Sequence, residues 1–175
     1  MPFEVSIHAH SEYPVITLRH TDTGCEAEIY AFGGLLNAFR IPVKGVPINI
    51  IDGFASVTDA KENIEQGFKS AKLSPFVCRM LNGSYLYGGI THKVNKYYLG
   101  KHAIHGLVYD AVYTIVNSYS STTGANLILE YQYEGTDDGY SFPYHITLNW
   151  KLESGNRLTV TTTLEHHNEQ PIPFT

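Results

Sequence analysis

Apolar and polar residues alternate with a period of two through much of this chain. Between residues 144 and 152 the even positions are apolar (Tyr144, Ile146, Leu148, Trp150, Leu152) and the odd positions polar. Successive side chains of a strand point to opposite faces, so this segment predicts a strand with one face buried and one wet. Residues 126–134 alternate through Leu127, Leu129, Tyr131 and Tyr133, and residues 157–165 through Leu158, Val160, Thr162 and Leu164. Shorter candidates cover 3–9, 15–20, 25–31, 35–41, 47–51, 84–87, 91–99 and 111–119.

Turn chemistry separates these runs. Gly33-Gly34, Asn82-Gly83, Gly88-Gly89, Thr123-Gly124, Asp137-Asp138-Gly139 and Ser154-Gly155-Asn156 supply residues that tolerate positive φ. One helix is predicted over 56–66, with Thr58 as N-cap and Gly67 closing it. Many strands with turns every eight to twelve residues predict an all-β, antiparallel sandwich or barrel. Residues 1–175 read as one domain with no internal repeat or linker. The pattern does not finish: the last strand runs into Pro171 and Pro173, which end ladder pairing. Unfinished sheet edges predict association between copies of the chain.

Composition narrows the function classes. The 175 residues are 43% hydrophobic, which permits a sizeable core, and only 17% charged, with a net charge of −5. No basic stripe is present, which disfavours a nucleic-acid partner. No long apolar span or polybasic run suggests a membrane, and the first six residues carry no secretory signal pattern. Two cysteines, Cys25 and Cys78, do not make a disulfide framework; a reduced, cytoplasmic setting is expected. Thirteen tyrosines and eight phenylalanines suit strands, and they also suit surfaces on which sugars stack.

Two residues stand out chemically. In Ile104-His105-Gly106 an imidazole sits in a short turn between strand-like runs. It can exchange a proton near neutral pH, as opening a hemiacetal requires, or it can be a structural histidine bonded to nearby backbone. About twenty-five residues upstream, Arg79 follows the apolar Pro75-Phe76-Val77 segment. Its five fixed donors suit vicinal hydroxyls; the plainer reading is a solvated arginine at a strand end. An Arg and a His converging on an all-β scaffold suit a neutral, hydroxyl-rich ligand. Nine histidines raise a metal hypothesis, but neither His8/His10, His102/His105 nor His166-His167 brings a third and fourth ligand at close spacing, so no metal site is expected. Asp137 and Asp138 read as a turn, and Gly33-Gly34 as a tight hairpin rather than a phosphate cradle.

Taken in order, several segments resemble the N-terminal half of the aldose 1-epimerase (galactose mutarotase) family. They are residues 31–36 (AFGGLL), 73–85 (LSPFVCRMLNGSY), 103–106 (AIHG), 138–143 (DGYSFP) with its following strand, and 158–171 with Asn168. The resemblance implies part of a galactose mutarotase-like β-supersandwich. It implies an isomerase that interconverts the α and β anomers of a free hexose by acid/base ring opening, without a cofactor. By position, Arg79 would hold sugar hydroxyls, and His105 would hydrogen-bond the sugar and help to polarise it. The family has Asn where Cys78 precedes the motif arginine, which changes the local hydrogen bonding. The family's acid histidine, in a Gly-x-His-Pro-Tyr-Phe-like segment, and its glutamate base have no counterpart in these 175 residues. A non-catalytic carbohydrate-binding β-sandwich is the alternative.

Overall fold

The computed structural model describes residues 1–8 and 13–174. Ala9 and His10, which entered the reading of the first strand and of the His8/His10 pair, lie outside the described residues.

Two antiparallel sheets form the body. The first has five strands in chain order: β1 (Phe3–His8), β2 (Val15–His20), β3 (Cys25–Tyr30), β4 (Leu35–Val43) and β5 (Val46–Asn49). After an excursion of short elements the chain enters the second sheet: β11 (Thr114–Ser120), β12 (Gly124–Tyr133), β13 (Tyr144–Glu153) and β14 (Arg157–Glu165). The two sheets face each other, with β1 and β2 lying over β11, β12 and β13. Their inner faces are the alternating apolar sets. Ile16, Leu18, Ala27 and Ile29 meet Leu127, Leu129, Ile146, Leu148, Trp150 and Leu152, all buried in one cluster. Interdigitation of two such faces is what makes a sandwich core.

Turns follow the glycine signals at most places. Gly88-Gly89 joins β7 (Ser84–Tyr87) to β8 (Ile90–Lys93) with both φ angles positive, as a right-twisted two-residue hairpin requires. Gly33 and Gly34 also have positive φ and connect β3 to β4, so the hairpin reading holds. Asp137 and Tyr140 close the turn expected there.

Some boundaries move. The helix α1 spans Val57–Asn63 and continues as a 3-10 turn over Ile64–Gln66. Its N-cap is Ser56 rather than Thr58: the Ser56 hydroxyl accepts from the Asp59 N–H at 3.1 Å, and its extended backbone precedes the first helical residue. The stretch 91–99 is not one strand. It breaks after Lys93, and only Tyr98–Leu99 (β9) resumes pairing, because Tyr97 takes a positive φ. Pairing of β11 starts at Thr114, not at 111; before it, Val112 makes only an isolated bridge to Phe32. The segment 47–51 is the exposed edge strand β5 and contributes little to the core.

Candidate functional site

A small third sheet carries both residues singled out by sequence. Two-residue β6 (Arg79–Met80) pairs antiparallel with β10 (His102–Ile104), which also pairs with β9. Arg79 lies opposite Ile104 in this register. Beyond the ladder the two segments stay laced: His105 N–H donates to Cys78 O at 3.0 Å and Leu107 N–H donates to Ser74 O at 2.7 Å. Residues 74–79 and 104–107 therefore form one backbone unit. Neither strand was visible as such in the sequence, because two or three residues carry no period. What the sequence offered was the residue types, and the structure puts them side by side.

Glycine at 106 is dictated by this lacing. Its φ is +76°, and a Cβ there would stand 2.2 Å from Ser74 O. Only a residue without a side chain lets the two backbones close to this distance. Ser74 is anchored in turn, its hydroxyl 2.8 Å from that of buried Tyr144 on β13. The small sheet is thereby tied to the main sandwich.

The surroundings of His105 are aromatic. Its ring stands edge-on to Phe68, 4.5 Å between centroids. Phe68 in turn contacts Tyr97 at 5.4 Å and Tyr109 at 5.1 Å. The Tyr109 hydroxyl donates to Glu65 at 2.7 Å, and burial, with the Glu65 bond second, pushes its ionisation far above the ordinary tyrosine range. It serves as a neutral donor, not as a base. Lys96 lies over the Tyr109 ring, forms an ion pair with Asp110 and donates to Leu107 O at 2.9 Å. A cleft of about 300 Å³ next to this group is lined by Lys96, Leu107, Asp110, Tyr131 and Asp137, among others, but not by Arg79 or His105.

Three features describe the site. Arg79 is exposed, although Pro75 and Phe76 ahead of it are buried as the apolar segment implied. His105 is half-buried, and its Nδ1 is buried with no hydrogen-bond partner. Buried polar atoms are paired in the great majority of cases; Tyr113, His145 and Trp150 each leave a buried polar atom unpaired as well, so the His105 nitrogen is open to a partner without being unique in this. Finally, Phe68, Cys78, Tyr97 and His105 all have positive φ. A bulky residue in the left-handed region costs on the order of 1 kcal/mol or more, and such outliers gather where function holds them. Of the eight such non-glycine residues described, only Lys44 and Asn156 sit in ordinary strand hairpins.

Phe68, Tyr97 and Tyr109 were missed by sequence reasoning. Tyrosine abundance was the only hint, and it did not distinguish these from the core tyrosines. His102 does not join His105 in a metal site: its Nδ1 accepts from Asn82 N–H at 3.1 Å. Among the described residues no group of three or more His, Cys, Asp or Glu side chains is placed to hold a metal ion. Cys25 is buried, Cys78 is exposed, and both are free thiols.

The chain matches the family model described as aldose 1-epimerase over residues 14–175. Among solved structures it is similar to a galactose 1-epimerase from Lactobacillus acidophilus NCFM (TM-score 0.75, 19% identity, covering 94% of this chain and 48% of that one). It is also similar to a galactose mutarotase-like protein from Clostridium acetobutylicum (TM-score 0.72, 20% identity, 93% and 49%). A third is the GalM/aldose epimerase homologue from C. elegans (TM-score 0.70, 15% identity, 83% and 44%). The chain spans about half the length of these structures. No curated protein matches it by sequence.

Proposed function

Because the chain belongs to the aldose 1-epimerase family and carries a portion of its all-β fold, we propose that it forms one wall of a sugar site at which the anomers of a free hexose interconvert. Anomer exchange needs a base to take the proton of the anomeric hydroxyl while an acid protonates the ring oxygen. The bond from C1 to the ring oxygen breaks, C1 rotates in the open aldehyde, and the ring closes on the other face. Arg79 donates to sugar hydroxyls from an exposed position, and His105 hydrogen-bonds the sugar and helps to polarise it. Phe68 and Tyr97 offer apolar ring surface to the C–H face of a pyranose. The observation that carries this reading is the unpaired Nδ1 of His105, held beside the Phe68 ring on the segment laced to Arg79.

The division of labour has a consequence. The expected acid histidine and base glutamate each contribute about 10²–10⁴ in rate, and neither has a counterpart in this chain. The 175-residue chain binds a hexose but exchanges its anomers negligibly; catalysis belongs to a protein of the family's full length. The second reading is a carbohydrate-binding β-sandwich without catalysis, in which Arg79 and His105 are ligands only. A cytoplasmic protein of carbohydrate metabolism is the setting that fits either.

Calorimetric titration with glucose and galactose, together with polarimetry, tests this. Saturable binding is expected, weakened about tenfold or more by Arg79→Ala, as for loss of hydrogen bonds from a charged group. The circular dichroism spectrum should be unchanged, because Arg79 is exposed. Absence of hexose binding defeats the sugar-site reading. Anomer exchange at the rate of a complete enzyme defeats the division of labour.

A further inference from the structure

His102 stands two residues before Ile104 on β10, and Ile104 lies opposite Arg79 of β6. Residues directly opposed across an antiparallel pair share a face, and so do positions i and i+2 of one strand. Arg79, Ile104 and His102 therefore occupy one face of the small sheet. The opposite face carries Ala103, Met80 and Tyr98, which pack against the core of the sandwich. On their own face Arg79 and His102 are diagonal neighbours, about 7–8 Å apart at the backbone, a distance that long side chains span.

One hydrogen bond fixes what the His102 ring can offer. Asn82 N–H donates to His102 Nδ1 at 3.1 Å. A neutral imidazole has one donor nitrogen and one acceptor nitrogen. Because Nδ1 accepts, the ring proton belongs to Nε2, which becomes a donor. The bond also sets the rotation of the ring, since Nδ1 must face Asn82. Asn82 is itself held in place. It lies with φ +55° in the 3-10 turn Leu81–Gly83 that directly follows β6. Gly83 in that turn is pressed against Tyr98, where a Cβ would stand 1.9 Å from the tyrosine oxygen. Val94 N–H donates to Gly83 O at 3.0 Å, and the Tyr98 hydroxyl donates to Val94 O at 2.6 Å. The contact that orients His102 thus belongs to a packed turn rather than to a loose loop. Donors oriented before a ligand arrives bind it at a smaller entropic cost.

We propose that His102 is a third sugar ligand, its Nε2–H donating to a hydroxyl oxygen of the hexose that Arg79 holds. The inference rests on the sugar-site reading above and adds a residue to it. Arg79 and His102 are both donors on one face, so they select a ligand that presents two oxygen acceptors toward that face, as a hexose with free hydroxyls does. His105, one residue beyond β10, supplies the unpaired Nδ1 instead. The competing role for His102 is that of a cap alone, accepting the Asn82 N–H and shaping the turn.

Two substitutions separate these roles. An asparagine side chain puts an acceptor near the place of Nδ1 and has nothing at the place of Nε2. A glutamine side chain puts an N–H near the place of Nε2 and loses the acceptor close to the backbone. Calorimetric titration of the 175-residue chain with glucose and galactose should show H102N weakened about threefold to tenfold, the worth of one neutral hydrogen bond, and H102Q closer to wild type. Long-range nitrogen–proton NMR of the wild-type chain should find the His102 proton on Nε2, and saturating hexose should shift that signal. H102N binding as well as wild type, H102Q binding no better than H102N, a proton on Nδ1, or an Nε2 signal that hexose leaves in place overturns the proposal. Hexose binding that is weakened by Arg79→Ala but not by H102N defeats the role of His102 alone. A wild-type chain that binds no hexose defeats the sugar-site reading and this inference with it.

Discussion

The hydroxyls of Ser74 and Tyr144 lie 2.8 Å apart, seventy positions apart in the chain, and both side chains are buried. This contact ties the segment carrying Arg79 to β13. Ser74→Ala leaves the Tyr144 hydroxyl buried without a partner, at a cost of about 1–3 kcal/mol. Tyr144→Phe in the same molecule removes the orphan group. Urea unfolding should therefore show the double variant less destabilised than the sum of the single ones.

Gly106 makes a harsher demand. Alanine there would hold an L-residue at φ +76° and drive its Cβ to 2.2 Å from Ser74 O. Gly106→Ala should cost about 3 kcal/mol or more, since backbone rather than a flexible side chain must give way. The Leu107–Ser74 bond goes with it, so amide exchange at Leu107 should quicken more than exchange in the core of β12.

Lys72 makes stability depend on pH. Its Nζ lies over the Trp150 ring and donates to Ser70 O at 2.9 Å, and burial pushes its ammonium down to about 8. Between about pH 8 and the usual lysine range near 10.4, the unfolded chain keeps a proton that the folded chain has lost. Lys72 thus contributes stability that rises with pH through this window and is absent below it. Burial raises the Cys25 thiol, which acts in the opposite sense as pH climbs. The difference between wild type and Lys72→Met isolates the lysine. The variant should be more stable at pH 7 by about 1–3 kcal/mol, and the gap should narrow toward pH 10.

Strand content was legible because it repeats. The sets around Leu127–Leu129 and Ile146–Leu152 each carry four or five apolar residues at period two, and all are buried as that period implies except half-buried Tyr131. The helix was legible from its composition, but its cap was not, since Ser56 and Thr58 are equally good acceptors in a sequence. The alternation of β14, by contrast, is exposed. Period two says that a strand has an apolar face; it does not say that anything covers it.

The chain by itself determined the period of its strands, the glycines at its turns, and the order of segments that places it in a family. Those are local properties, or sums of local ones. Only the tertiary structure decided that His105 meets Phe68 and Phe68 meets Tyr97, that the His105 Nδ1 is left without a partner, and that residues 74–79 lace to 104–107. These depend on contacts between residues some twenty-five to forty positions apart and on backbone angles that no propensity favours. Such angles are held by packing around them, and packing exists only once the sheets have closed.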